Sequence, residues 1–151
     1  MRALVQRVKH ASVSINGVLS AEIGHGLAVF LGVTHTDAEE ESIYLAQRCL
    51  ALRVFEDGEG KMNLSVKDVN GSVLVVSQFT LYADTRKGNR PSFVDAAPPA
   101  AAERLYDAFV GATRRDIGAE RVKTGVFRAM MDINLINEGP VTIMVESKTS
   151  S

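Results

Sequence analysis

A chain of 151 residues has the length of one domain, and folding at that size buries about 70% of the unfolded surface. With 46% hydrophobic and 23% charged residues, its composition is that of a globular domain and excludes a disordered, collagenous or low-complexity chain. Seventeen Lys+Arg against eighteen Asp+Glu give a net charge of -1, which excludes a global basic field able to hold a long duplex, so any nucleic-acid contact must be local.

The opening, Met1 to Ile15, sets Arg2, Arg7 and Lys9 among alternating apolar residues and lacks the unbroken apolar stretch of a signal peptide. No run approaches the roughly 20 apolar residues that span a bilayer, so the chain reads as having no membrane partner. Ser12–Ile15 and Val18–Ile23 alternate around Asn16-Gly17, the strongest two-residue hairpin signal, because both positions tolerate positive φ. After Gly24-His25-Gly26, the near-continuous apolar run Leu27–Val33 predicts a strand covered on both faces, central in a sheet.

Asp37 followed by Glu40 offers an acceptor and acidic charge at a helix start, and a helix is expected from about Ala38 to Leu52. Its apolar stripe is Leu45, Ala46, Cys49, Leu50 and Leu52. Asp57–Lys61 and Asn70-Gly71 are turns, and Ser72–Val76 is a second buried strand that runs into the polar positions of Ser77–Leu81. Ala83 to Pro99 reads as a long loop, of the kind that usually has a task.

Pro98 and Pro99 suit the first turn of a second helix, with a stripe of Ala101, Leu105, Ala108, Phe109 and Ala112 and a C-terminal cap at Gly118. Two or three strands complete the chain, at Val122–Phe127, Met131–Ile136 and Val141–Val145. The expectation is one catalytic domain over 1–147 and a frayed tail over 148–151.

Several chemical signals dissolve on inspection. Gly24-His25-Gly26 precedes a strand, whereas a dinucleotide fingerprint must open a helix, and Gly58-Glu59-Gly60-Lys61 lacks the spacing of a phosphate-binding P-loop. His10, His25 and His35 are widely spaced and suggest no metal site. The single cysteine, Cys49, excludes an intramolecular disulfide and a multi-thiolate zinc site, fits a reducing cytoplasm and falls in a helix stripe as a small core residue.

Two segments remain, Ser77-Gln78-Phe79-Thr80-Leu81 and Asn137-Glu138-Gly139-Pro140-Val141-Thr142. Taken alone, the first reads as a strand reaching the surface and the second as a hairpin turn. Together they resemble the Ser-Gln-Phe-Thr and Asn-x-Gly-Pro-x-Thr signatures of the D-aminoacyl-tRNA deacylases, also called D-tyrosyl-tRNA deacylases. The resemblance runs from Ala3-Leu4-Val5-Gln6-Arg7-Val8 through Gly60–Leu64, Arg90-Pro91-Ser92-Phe93 and Gly125–Met131.

The resemblance implies an α/β fold of packed β-sheets with two main helices on one side. It also implies a homodimer that hydrolyses the ester between a D-amino acid and the 3′-terminal adenosine of tRNA, with no cofactor and no metal. Ser77, Gln78, Phe79 and Thr80 are the expected catalytic residues, since backbone N–H groups and a hydroxyl at a strand end suit an ester oxygen that becomes negative during attack. In the family, water organised by the ribose 2′-hydroxyl is preferred to a protein nucleophile, with Thr80 as nucleophile the variant mechanism.

Gly139-Pro140 can adopt a cis peptide, and by resemblance it enters the partner subunit's site, where its carbonyls crowd the position of an L side chain. Glycine, with only hydrogen there, is then poorly excluded, which extends the expected substrates to glycine mischarged on the tRNA for alanine. Asn137 and Thr142 flank this dipeptide as substrate-binding positions, and Phe127 and Met131 match the adenosine-pocket positions. Arg86, Lys87 and Arg90 are either phosphate contacts near the tRNA end or a solvated loop.

Overall fold

The alternating apolar residues of the opening form a single long strand, β1 (Arg2–Ile15), which turns through Asn16 and Gly17 at φ 52° and 77° into β2 (Val18–Ile23). The computed structural model describes residues 1–147, so the expected frayed tail lies outside the described residues. Beyond the hairpin come β3 (Gly26–Gly32), helix α1 (Glu39–Ala51), β4 (Phe55–Glu56) paired with β5 (Met62–Leu64), and β6 (Ser72–Ser77). A 3-10 turn (Phe79–Tyr82), helix α2 (Pro99–Ile117), β7 (Val122–Thr124) and β8 (Asp132–Glu146) follow.

The main sheet runs β2-β1-β3-β6-β7, with β8 on the other edge of β1. β3, β6 and β7 are mutually parallel, and α1 and α2 fall in the two crossovers. β1 pairs with β8 from Arg2 to Ser14, while its opposite edge is shared between β3, along Arg2–Val8, and β2, along Ala11–Ile15.

That sharing requires β1 to change faces. Ala3 and Val5 join the core beneath the helices, whereas Val8, Ala11 and Val13 join a second core. The odd-even parity flips between Val8 and Ala11, beside the register breaks at Val8 in the β1–β8 ladder, as an inserted residue demands. β3 and β6 serve both cores: Leu27, Val29, Leu31, Val73 and Val75 meet Leu45, Cys49, Leu105 and Phe109 of the helices, and Ala28, Leu74 and Val76 meet Val8, Val13 and Ile23. This is the expected α/β arrangement of packed sheet layers with two helices on one side.

Several local expectations are corrected. Asp37 does not cap α1; its carboxylate accepts from the Met1 ammonium at 2.9 Å and from Thr34 N–H at 2.8 Å. The Ala38 N–H at the helix start instead donates to Glu41 at 2.6 Å. In α2 the buried face is Ala102, Leu105, Tyr106, Phe109, Val110, Thr113 and Ile117, leaving Ala101, Ala108 and Ala112 half-buried. The larger apolar side chains set the facing because each removes more area from water than an alanine.

The strand expected over Val122–Phe127 stops at Thr124, and the two expected at Met131–Ile136 and Val141–Val145 are one strand, because pairing with β1 continues on both sides of Gly139-Pro140. Pro99 and Gly118 fall at the ends of α2 as expected, the Gly118 N–H donating to Arg114 O at 2.9 Å. No helix among the described residues is long and apolar enough to cross a membrane.

Candidate active site

β3 and β6 run side by side and end together, which sets the floor of a cavity of about 710 Å³. At that end Gln78 N–H donates to Leu31 O at 2.7 Å, and the chain then coils into the 3-10 turn where a continuing strand end was expected. Gly32 permits this: a Cβ there would lie 3.1 Å from Leu81 Cβ and 3.2 Å from Gln78 O. Leu81 N–H is taken by Gln78 O at 3.2 Å, so the N–H groups of Phe79 and Thr80 are those that the turn leaves without an acceptor of its own.

Ser77, Gln78 and Phe79 form one wall of the cavity, and Phe127 and Met131 another. Phe79 is 56% exposed and meets Phe93 edge-on, with ring centroids 5.1 Å apart. Phe127 lies 6.0 Å from the ring of Tyr106, whose hydroxyl donates to Val75 O at 2.9 Å. Gly125 N–H also donates to Val75 O, at 3.0 Å, and a Cβ on Gly125 would fall 2.7 Å from Met131 Sδ. Glycine is therefore what lets Met131 fold back onto the wall. Thr80 is exposed and outside the lining; its Oγ1 accepts a short hydrogen bond from the Gln78 amide.

The second motif lies elsewhere in the same chain, beside a separate cavity of about 530 Å³ lined by Arg7, His25, Phe55, Asn137, Glu138 and Gly139, among others. The Gly139-Pro140 peptide is cis and both residues are exposed. Asn137 and Thr142 are occupied in bracing it: Val141 N–H donates to Asn137 Oδ1 at 3.1 Å, and Asn137 Nδ2 and Gln6 Nε2 donate to Thr142 Oγ1 at 2.8 and 3.1 Å.

Arg7 braces it from behind. Only 6% exposed, it donates from Nη1 to Val54 O at 2.7 Å and from Nε to Glu138 O at 3.2 Å, with the Glu138 carboxylate 3.3 Å from Nε. His25 Nε2 approaches the same carboxylate at 3.3 Å. Arg7 was missed by motif reading, yet it left a signal: it continues the odd-numbered face of Ala3 and Val5, where an apolar residue belongs.

The three histidines do not converge: His10 pairs with Glu22 at 2.7 Å, His25 with Glu138, and His35 Nε2 lies 2.6 Å from Val94 O. Among the described residues no group of three or more His, Cys, Asp or Glu side chains is gathered as a metal would require. Burial pushes the Cys49 thiol up to about 12, so it stays protonated at neutral pH. Arg86 is gripped by Asp84 at 2.9 and 2.8 Å, and this pairing holds the Asp84 carboxyl down at about 2.

The fold recurs among solved structures. The "c-Myc DNA Unwinding Element Binding Protein" superposes with a TM-score of 0.94 at 42% identity, covering 99% of this chain and 100% of that one. A probable eukaryotic D-amino acid tRNA deacylase shares the fold, with a TM-score of 0.79 at 20% identity over 96% of this chain and 98% of that one. The fold is thus that of a mixed α/β domain shared with both structures.

Residues 4–146 match the family described as D-Tyr-tRNA(Tyr) deacylase. The D-aminoacyl-tRNA deacylase of Desulfatibacillum aliphaticivorans is 56% identical over 148 residues, 98% of this chain and 100% of that protein. The chain belongs to this family of hydrolases.

Proposed function

We propose that the chain hydrolyses the ester joining a D-amino acid to the 3′-terminal adenosine of tRNA, releasing tRNA and the free D-amino acid as a proofreading step in translation. The observation that carries the reading is the segment Ser77–Phe79 lining a cavity of about 710 Å³ walled by Phe127 and Met131, in a chain of this family. That volume suits an aminoacyl nucleoside, and the apolar wall suits a purine face.

The Phe79 and Thr80 N–H groups are fixed donors for the ester oxygen as it gains charge, which is the interaction that most lowers the barrier to ester hydrolysis. Water adds to the carbonyl carbon, the tetrahedral intermediate collapses, and the ribose 3′-oxygen leaves with a proton. The neighbouring 2′-hydroxyl organises that water, and Thr80, held by the Gln78 amide, positions the substrate. Ser77 and Gln78 hold the ester end, and the stoichiometry of hydrolysis consumes only water, so the reading includes no cofactor.

Chiral selection is assigned to the Gly139-Pro140 turn of a second copy in a homodimer. Its exposure, its bracing by Asn137, Thr142 and Arg7, and its place outside the lining of its own chain's larger cavity support a turn that works in a neighbour. Backbone carbonyls at the α-carbon reject an L side chain without recognising any D side chain. Glycine escapes the filter, so glycine mischarged on the tRNA for alanine is a substrate as well. The reading puts the enzyme in the cytoplasm, and the free thiol of Cys49 supports a reducing compartment.

Matched D- and L-tyrosyl-tRNA deacylation tests the reading, with rapid release expected from the D ester alone. Equal rates for both enantiomers remove the proofreading role, and binding without turnover turns the chain into a tRNA-end binding module. Light scattering should give a mass near twice 16.3 kDa.

A further inference from the structure

The loop between the 3-10 turn and α2 is not a slack connection. Asp84 and Ser92 exchange two backbone hydrogen bonds of 2.7 and 2.9 Å, which pinch residues 85–91 into a closed lobe. Within it the Asp84 carboxylate spends its acceptors on Arg86: its backbone N–H at 3.0 Å, Nε at 2.9 Å and Nη2 at 2.8 Å. Arg86 is thereby a neutralised brace. Lys87 and Arg90 stand exposed and, among the described residues, form no ion pair.

The lobe is tied to the mouth of the cavity, because Phe93, next after the bridged Ser92, packs on Phe79 in the cavity wall. Another stretch of that wall carries Arg128, exposed, outside any ion pair among the described residues, and held at φ 68°. A long side chain seldom adopts that conformation, and such backbone is retained where the surroundings impose it, characteristically at ligand sites. One cation outside any ion pair among the described residues, Arg128, thus stands in the cavity wall, and two more, Lys87 and Arg90, stand in the lobe joined to that wall through Phe93, in a chain whose net charge is only -1.

We infer that Lys87, Arg90 and Arg128 form a rim that binds the backbone phosphates of the single-stranded 3′ end of the RNA whose terminal nucleoside enters the cavity. The inference rests on the proposed ester hydrolysis and adds the side chains that hold the strand delivering the ester. Phosphates meet guanidinium and ammonium groups well, and point contacts of this kind position a strand without reading its bases. Each contact to a single strand contributes about 0.7 to the slope of log affinity on log salt, so three weaken binding about 20-fold between 50 and 200 mM salt.

The test compares kcat/KM on D-tyrosyl-tRNA with kcat/KM on 3′-O-D-tyrosyl-adenosine, which carries the ester and the nucleoside but no phosphate, across that salt range. For the unaltered protein the tRNA reaction should fall about 20-fold and the adenosine ester should not respond. The variant K87A/R90A/R128G, with glycine chosen to suit the positive φ, should lose most of its preference for tRNA and most of the salt response, through KM. K87A/R90A alone, at two exposed positions, should lower the slope by about 1.4.

Lys61→Ala, on the β4–β5 turn, should keep the full slope. Retention of slope and preference in both rim variants would overturn the inference. Should neither D-tyrosyl ester be hydrolysed, the proposed reaction fails by itself. The rim then stands or falls on whether a short single-stranded RNA ending in adenosine binds the unaltered protein more tightly, and with a steeper salt slope, than the variants.

Discussion

Replacing Gly139 by alanine probes the turn assigned to chiral selection, and the structure sets the size of the effect. Gly139 has φ 122°, in the half of the conformational map that side-chain-bearing residues avoid, and holding alanine there costs about 1–3 kcal/mol. The new Cβ would also lie 2.8 Å from Arg7 Nη2 and 3.0 Å from Val141 Cγ2. Arg7 has little room to yield, since it is buried and its Nη1 is held at 2.7 Å by Val54 O.

Displacing a charged donor from such a bond costs about 1.5–3 kcal/mol. One relaxation relieves both contacts and adds to the backbone cost, so the expected loss is about 2.5–6 kcal/mol in all, or about 5–24 °C in Tm for a domain of this length. Urea denaturation should show a lower midpoint at unchanged slope. Deacylation of D-tyrosyl-tRNA, measured where the variant is fully folded, should fall in kcat/KM. An unchanged urea midpoint would refute the strain argument. A lower midpoint with undiminished turnover and intact D/L selectivity would refute the role of the turn.

Four further outcomes are expected. Thr80→Ala should lower kcat/KM by at most the 2.7–4 kcal/mol or so of one lost transition-state donor, and barely move Tm because Thr80 is exposed; single-turnover rates equal to those of the unaltered protein would remove Thr80 from the chemistry. Cys49, its thiol pushed up to about 12 by burial, should resist a thiol reagent at pH 8 until denaturant is added, and rapid labelling of the folded protein would contradict that. Asp37→Ala should cost about 3–5 kcal/mol by stripping the fully buried Met1 ammonium of its carboxylate, and a urea midpoint equivalent to a loss below about 1 kcal/mol would show the pair to be dispensable. Exhaustive chelation should leave deacylation intact, since no cluster of metal-binding side chains is gathered among the described residues; loss of activity restored by one added metal would reverse that view.

How far the sequence discloses this fold depends on the range of the forces involved. Asn16-Gly17 fixes its hairpin locally through two positive φ angles, and the runs Leu27–Leu31 and Val73–Val76 are apolar on both faces because each serves two cores. β8 is different. Asn137-Glu138-Gly139-Pro140 has the composition of a turn, and what keeps it within one strand is a ladder to β1, more than a hundred residues away in sequence. The facing of α2 is hidden for a related reason: Ala101 and Ala108 share the helical period of Leu105, and the choice falls to Tyr106 and Val110, which have more area to bury.

The site divides along the same line. Ser77, Gln78 and Phe79 carry a motif and all reach the cavity, and Phe127 and Met131 face them because parallel β6 and β7 deliver their following segments to one end of the sheet. Phe93 and Arg128 have no local signature, since an edge-on ring pair and a φ of 68° are imposed by surroundings. Arg7 is the instructive case. Its charge interrupts an apolar face, and the structure shows why the interruption is tolerated: the guanidinium satisfies Val54 O and Glu138 O, carbonyls from two separate segments, which no apolar side chain could do. A filter made of backbone, as proposed for Gly139-Pro140, selects only as sharply as its carbonyls are held still. The buried arginine, together with Asn137 and Thr142, fixes that turn from within the strand and from behind it, so under the proposed filter Arg7 acts as a positioning residue although it lies outside the cavity lined by Ser77–Phe79.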